Sequence, residues 1–304
     1  MDGIIVINKP AGVTSSRAVQ ITRKLFPGSK AGHTGTLDPL ATGVLPVCLG
    51  RATRLAEYIV GLPKIYRAEV VLGKVSDTGD AEGQIREETA VPNLDHRQIE
   101  ELLLTFKGKI EQLPPRYSAI KYQGKPLYHW TRQGKEVPLK NRPVTIYDLK
   151  LVKYNHQCEP HLIFDVACSK GTYIRTLAAD IGQVIGCGAY LSALIRSAVG
   201  PYRLDDALNL DQAAEMIKLG RGGEIVMRMD TAVMHLPKIC LKDKLIEALK
   251  NGLVIKFDDQ ELLKNVYIET PIRIYDQQGN FKALALKIEA NDRMGLKTIK
   301  FLAQ

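Results

Sequence analysis

Cysteine pairs, histidine clusters and long apolar runs are missing from this sequence, and each absence removes a class of protein. The five cysteines (Cys48, Cys158, Cys168, Cys187 and Cys240) lie far apart, and none forms a Cys-x-x-Cys pair. Neither a structural zinc site nor a disulfide framework is expected, and scattered thiols suit a reducing cytosol. No window approaches the ~18 apolar residues of a membrane span. The opening MDGIIVINKP has too short an apolar run for a secretory signal, and Asp2 stands where a basic segment would be needed. A cytoplasmic protein is expected, with no membrane partner.

What is present is an ordinary globular composition, 45% hydrophobic and 25% charged over 304 residues, long enough for a large domain with or without a small one. The net charge is +9, which favours a polyanionic partner. Its distribution says more. Between Arg116 and Arg142 seven basic residues face the single acid Glu136, so this short stretch holds six of the nine net charges. Tyr117, Tyr122, Tyr128 and Trp130 are interleaved with them. Residues 114–143 also carry five prolines and two glycines, which predicts a long excursion with little regular structure. Basic side chains that meet phosphate, with aromatics that stack on splayed bases, make RNA contact the better reading than a solvated loop.

Elsewhere the pattern predicts a strand over 3–8 and a helix capped by Thr14 or Ser15 and running to about Phe26. Residues 31–50, rich in glycine and proline yet apolar, read as a structured loop. A helix is expected over 52–60. Tyr66, Ala68, Val70 and Leu72 alternate on one face of a strand at 65–72. Ile99, Leu102, Leu103 and Phe106 share one face of a helix at 95–106. Strands follow at 144–153 and 161–168, then helices at 172–185 and about 189–197. After His235–Pro237 the pattern changes. A helix at 241–250 and short strands at 252–256, 265–269, 271–275, 281–288 and 297–302 predict a small, mainly β unit. The fold class expected is α+β, divided as 1–235 and 236–304.

Several residues are candidates for chemistry. Asp38 precedes Pro39 in GHTGTLDP, and Pro39 keeps it out of the α region. By spacing alone it reads as a turn cap, because Asp-Pro turns are common. A carboxylate held in an irregular, apolar-flanked loop also suits a nucleophile or general base. His33 is a base, an RNA contact, or a loop histidine bonded to backbone. Lys170-Gly171-Thr172 opens a helix, but the upstream glycine of a Walker A motif is absent, so a nucleotide-hydrolysing P-loop and its nucleotide cofactor are excluded. Arg175 could pair bidentately with a carboxylate and hold it ionised, or be a surface arginine. Tyr66 could stack on a base or simply pack in the core.

Together these segments resemble one family. GHTGTLDPLATGVLPVCLGRATRL (32–55) is similar to the signature of TruB-type tRNA pseudouridine synthases. NKPAGVTSS (8–16), KIYRAEVVLGKVSDTGDAEG (64–83), PPRYSAIKYQGKPLYHWTRQGKEVP (114–138) and SKGTYIRTLAADIG (169–182) follow in the family's order. TPIRIYDQQGNFKALA (270–285) is similar to a PUA RNA-binding domain. The resemblance implies a pseudouridine synthase fold, with a mixed, largely antiparallel central sheet flanked by helices and loops. It implies isomerisation of the T-loop uridine of tRNA (position 55) without a cofactor, by a monomer that binds the tRNA T-arm. Asp38 takes the place of the nucleophilic aspartate and Tyr66 that of the tyrosine stacked on the uracil. Tyr173 is a second active-site tyrosine, Arg175 the aspartate's partner, and His33 the histidine that enters the T-loop. Lys9 falls near the active site, Leu194 forms the apolar floor of the pocket, and 114–143 is a thumb loop, with Arg116, Lys121, Lys125 and Arg132 binding RNA. Attack at uracil C6, attack at ribose C1′ and deprotonation of the sugar all stay open for Asp38. In YLSALIRSAVGPY (190–202) Ile195 stands where the family pattern suggests a second arginine beside Arg196, which implies one phosphate contact fewer. A catalytically silent RNA-binding protein on the same scaffold is the alternative. An unrelated aspartate hydrolase would need a second carboxylate, and none stands near Asp38 in the sequence.

Overall fold

The computed structural model describes residues 1–303 except 88, 119, 158, 257–266 and 291–292. The first strand, β1 (Gly3–Lys9), leads into α1 (Ser15–Leu25), whose start is capped by the Thr14 side chain accepting from Arg17 N. Two strands then lie within the segment expected to be a loop: β2 (Ala31–His33) and β3 (Thr42–Leu49). Gly43 and Pro46 hide β3 from a pattern reading. Gly43 has φ +103°, and a Cβ there would stand 2.3 Å from the Arg196 carbonyl oxygen, so only glycine lets the neighbouring strand approach.

A 3-10 turn (Gly50–Leu55) and α2 (Ala56–Gly61) precede β4 (Lys64–Leu72). On β4 the expected face of Tyr66, Ala68, Val70 and Leu72 is buried. A small hairpin, β5 (Lys74–Ser76) and β6 (Ile85–Glu87), leads to α3 (His96–Leu104), which buries Ile99 and Leu103. The edge strand β7 (Gly108–Gln112) follows. Among its described residues the excursion contains a hairpin of β8 (Lys121–Tyr122) and β9 (Lys125–Pro126) and one turn of helix, α4 (Leu127–Thr131). The chain returns through β10 (Arg142–Asn155), β11 (His161–Cys168) and α5 (Ile174–Ile185).

Residues 189–199 are a strand, β12 (Ala189–Val199), and not the expected helix. Its register slips between Leu191 and Ala193 and again between Arg196 and Ala198. The first slip puts buried Leu191 and Leu194 three apart, a helical spacing produced by a bulge. The bulged strand lies in the middle of the sheet, whose order is β1-β3-β12-β4-β11-β10-β7, with β2 on β3 and β13 (Tyr202–Arg203) on β12. All pairings are antiparallel except β3 with β12.

After α6 (Leu210–Lys218) and β14 (Lys238–Cys240) comes α7 (Asp243–Lys250). With β15 (Ile255–Lys256), β16 (Pro271–Tyr275), β17 (Phe281–Ala290) and β18 (Arg293–Phe301), β14 forms a second sheet in the order β14-β16-β17-β18-β15. The strand expected at 265–269 lies partly outside the described residues, and 267–269 belong to a turn closed by Thr270 N donating to Tyr267 O. The second sheet packs against the first. Tyr275, Phe281, Leu284 and Leu302 share one apolar cluster with Ile4, Val44 and Ile59. The Tyr275 hydroxyl donates to Asp230 at 2.8 Å, and Arg228 holds the same carboxylate. No described helix is long and apolar enough to cross a membrane.

Candidate active site

The loop between β2 and β3 carries Asp38 and is fastened almost entirely by its main chain. Lys9, at the end of β1, is fully buried. Its Nζ donates to Pro10 O (2.8 Å), Val13 O (2.6 Å) and Pro39 O (3.2 Å), and burial pulls its pKa down to about 8. Arg196 on β12 is 1% exposed and donates to Val44 O (2.7 Å), Gly35 O (3.1 Å) and Thr36 O (3.4 Å). Ser15 Oγ donates to Leu37 O and accepts from Leu37 N. Two buried cations and one hydroxyl thus satisfy the carbonyls of an irregular buried segment, as such a segment requires.

Asp38 joins the turn through its backbone and Arg175 through its side chain. Its backbone carbonyl closes the Pro39 turn by accepting from Ala41 N. Its side chain, 32% exposed, is free to face Arg175. Arg175 sits in the first turn of α5 and is 5% exposed. Its Nη2 donates to Asp38 Oδ1 at 3.2 Å. Nε stands 2.9 Å from Oδ2 but off line for a hydrogen bond. The same guanidinium reaches Thr78 O (3.1 Å), Tyr117 O (2.9 Å) and Asp80 Oδ2 (3.3 Å).

Asp80 was not singled out in the sequence, although it lies in SDTGDAEG. It is buried, and its Oδ1 accepts from Thr78 Oγ1 (2.6 Å) and Glu82 N (3.1 Å). A second carboxylate therefore stands at the site after all, with Oδ1 held by fixed donors and Oδ2 facing Arg175, which it helps to orient.

The pairing with Arg175 does not depress the Asp38 pKa as expected. Burial raises it; Arg175 opposes this, and Asp80 adds to it. Desolvation of the carboxylate outweighs the neighbouring cation because that cation is shared by two acids.

Tyr66 on β4 is 8% exposed and lies in one apolar cluster with Leu37 and Leu194. Burial raises its pKa, and Arg196 opposes the shift. Leu194 is buried. Tyr173 precedes α5, its N–H donating to Gln112 Oε1 (3.0 Å) and its carbonyl accepting from Gln112 Nε2 (3.3 Å). Burial raises the pKa of its phenol. His33 is half-buried at the end of β2, where Gly35 N donates to its Nδ1 at 3.4 Å. Burial and, to a lesser degree, Arg196 lower its pKa. Ile195, where a second arginine was anticipated, is exposed on the face of β12 opposite Arg196. Arg196 itself binds carbonyls and presents no charge to solvent.

Lys9 lies beside the Asp38 loop, as expected of a residue near the site, with its buried ammonium engaged by main-chain carbonyls. In the thumb loop, Arg116, Lys121, Lys125 and Arg132 are all exposed. Arg116 lies 3.3 Å from Glu136. Lys125 and Lys135 stand over the Trp130 ring, and Arg132 over Tyr128. Trp130 is held edge-on to Tyr122 and donates to its carbonyl. Trp130 and Tyr128 are thus engaged with the loop's own cations. Among the described residues no cluster of three or more His, Cys, Asp or Glu could hold a metal ion.

Solved structures share this architecture. The H/ACA RNP bound to a substrate RNA containing 2'-deoxyuridine matches with a TM-score of 0.75 at 22% identity, covering 99% of this chain and 85% of that one. A Cbf5-Nop10-Gar1 complex matches with a TM-score of 0.74 at 24% identity, over the same shares. These likenesses define the fold as that of the Cbf5/TruB-type pseudouridine synthases. Residues 23–174 match the model of the TruB family pseudouridylate synthase N-terminal domain, and 175–233 that of the tRNA pseudouridylate synthase B C-terminal domain. tRNA pseudouridine synthase B of Chromohalobacter salexigens is 48% identical over 79% of this chain and 76% of that protein. That of Geobacillus thermodenitrificans is 41% identical over 97% of each. The chain belongs to the TruB family of pseudouridine synthases.

Proposed function

We propose that this protein isomerises the T-loop uridine of tRNA to pseudouridine, with Asp38 as the reactive carboxylate. The observation that carries this reading is a carboxylate on a main-chain-locked loop, one third exposed and paired with the buried Arg175. The isomerisation detaches uracil from C1′, turns it and rejoins it through C5, releasing the C5 proton. Nothing is oxidised and no phosphate moves. The uridine must leave its stack, which costs a few kcal/mol. Stacking on the edge of Tyr66 returns about 1–3 kcal/mol, with Leu194 and Leu37 as the apolar floor. His33, half-buried beside the loop, fills the gap left in the T-loop, while the exposed cations of the thumb loop meet the RNA backbone.

In this reading, residues 1–235 form the catalytic unit and 236–304 a PUA-like RNA-binding unit. The second family model ends at residue 233, which supports that boundary. The protein acts as a monomer on the T-arm, in the cytoplasm. The test is tritium release from T-arm RNA labelled at uridine C5. Wild type should release tritium and Asp38→Asn should not, while RNA binding is kept. Equal release by Asp38→Asn would remove Asp38 from the chemistry, and no release by wild type would leave an RNA-binding protein without catalysis.

A further inference from the structure

One buried polar group at the site has no role in the reading above. Ser118, in the root of the thumb loop, is 5% exposed, and its hydroxyl makes no hydrogen bond of good geometry. Buried orphan hydroxyls are rare, and a catalytic role is one of the reasons a protein keeps one. The backbone around Ser118 is not loose. Its carbonyl accepts from Tyr128 N at 3.2 Å, the Tyr117 carbonyl is held by Arg175 at 2.9 Å, and Thr131 Oγ1 donates to Arg116 O. The hydroxyl is therefore presented at a fixed place, where the loop meets the guanidinium that pairs with Asp38. The group beside it is the Tyr173 phenol, within reach but off line. The backbone of Tyr173 is locked by Gln112, so only its ring has freedom to turn.

We propose that Ser118 is a positioning residue of the isomerisation: as the Tyr173 ring turns to meet the flipped base, the fixed Ser118 hydroxyl completes a hydrogen bond with its phenol and holds the ring there. This rests on the isomerase reading of the Asp38 site. It also gives the thumb loop a second function. Besides holding RNA, the root of the loop supplies the contact that orders an active-site side chain. The charged groups facing Tyr173 are Arg142 from β10, Arg175 from α5 and Asp38 from its loop. Ser118 and the two arginines draw the phenol pKa down, against burial and Asp38. Losing the serine hydroxyl should move the alkaline limb of the rate to higher pH.

The experiment compares wild type, Ser118→Ala and Ser118→Thr in the full chain. It measures single-turnover tritium release from C5-labelled T-arm RNA at saturating protein between pH 6 and 10, with RNA affinity and melting temperature measured alongside. Ser118→Ala should lose about tenfold in the single-turnover rate, the worth of one neutral hydrogen bond. Its RNA affinity and melting temperature should stay close to wild type, and Ser118→Thr should restore most of the rate. A Ser118→Ala rate within twofold of wild type would overturn the proposal. So would a loss that tracks weaker RNA binding or a lower melting temperature and is not recovered by threonine. If wild type itself releases no tritium, the isomerase reading falls, and this proposal falls with it.

Discussion

Replacing Arg196 by methionine tests how the Asp38 loop is held. The guanidinium is buried and carries three carbonyls, Val44, Gly35 and Thr36. Methionine fills similar length but donates nothing. Val44 is fully buried, so its carbonyl loses its partner without access to water, at a cost of about 1–3 kcal/mol. Gly35 and Thr36 are more exposed, so water replaces much of their loss. Recovered desolvation of the cation offsets part of the total. A net destabilisation of about 2–4 kcal/mol follows, or roughly 3–6 °C in melting temperature for a chain of this size. Two of the three carbonyls lie two and three residues before Asp38, so the carboxylate should also drift. A displacement of about 1 Å costs on the order of a hundredfold in rate. Thermal unfolding by circular dichroism reads the first effect and single-turnover tritium release the second. Arg196→Lys, which retains the charge and one or two donors, should fall between. An Arg196→Met protein that melts within about 1 °C of wild type and turns over normally would refute the idea that these carbonyl contacts fix the loop.

The raised pKa of Asp38 has a consequence for stability. A carboxyl whose folded pKa lies above its unfolded one contributes stability below the unfolded value and loses it as pH rises through the folded value. Asparagine does not titrate, so the melting temperature of Asp38→Asn relative to wild type should rise with pH through the carboxylate range and then level. A difference that falls with pH would contradict burial as the dominant cause. Neutralising Lys121, Lys125 and Arg132 together should weaken RNA binding and reduce its salt slope by roughly 2–3; an unchanged slope in a filter-binding titration would remove them from the interface. Gly43→Ala should destabilise the fold by ~2–4 kcal/mol, since it adds a Cβ 2.3 Å from the Arg196 carbonyl oxygen at a positive φ. Denaturant unfolding measures this, and a midpoint equal to wild type would show that β3 and β12 can part without cost.

Much of this molecule is legible in its sequence, and the failures have physical causes. Strand β4 and helix α3 follow the simple periods of 2 and 3.6, because each buries one regular face. Strand β12 does not, because its bulges move buried Leu191 and Leu194 to a helical spacing while its pairing remains that of a sheet. Strand β3 is masked by the glycine that lets Arg196 approach and by Pro46. At the site, Asp38, Tyr66 and Arg175 come from three distant segments, and spacing gives no sign that they meet; only the combined motifs do. Asp80 was passed over because an acid in a turn-rich segment looks solvated until the fold places Arg175 against it. Lys9 and Arg196 present a different difficulty. A cation whose partners are backbone carbonyls leaves no complementary acid to find.

That choice of partner decides how the site can change over generations. Main-chain oxygens are supplied by every residue type, so the grip on the Asp38 loop does not depend on which side chains the loop displays. Thr36 can be exchanged without loosening it. The tolerance is one-sided, because the donors come from the two cations' own side chains. Drift in the displayed residues and constancy in the two hidden cations is the pattern this arrangement permits: variation on the face that meets the substrate, and fixity behind it.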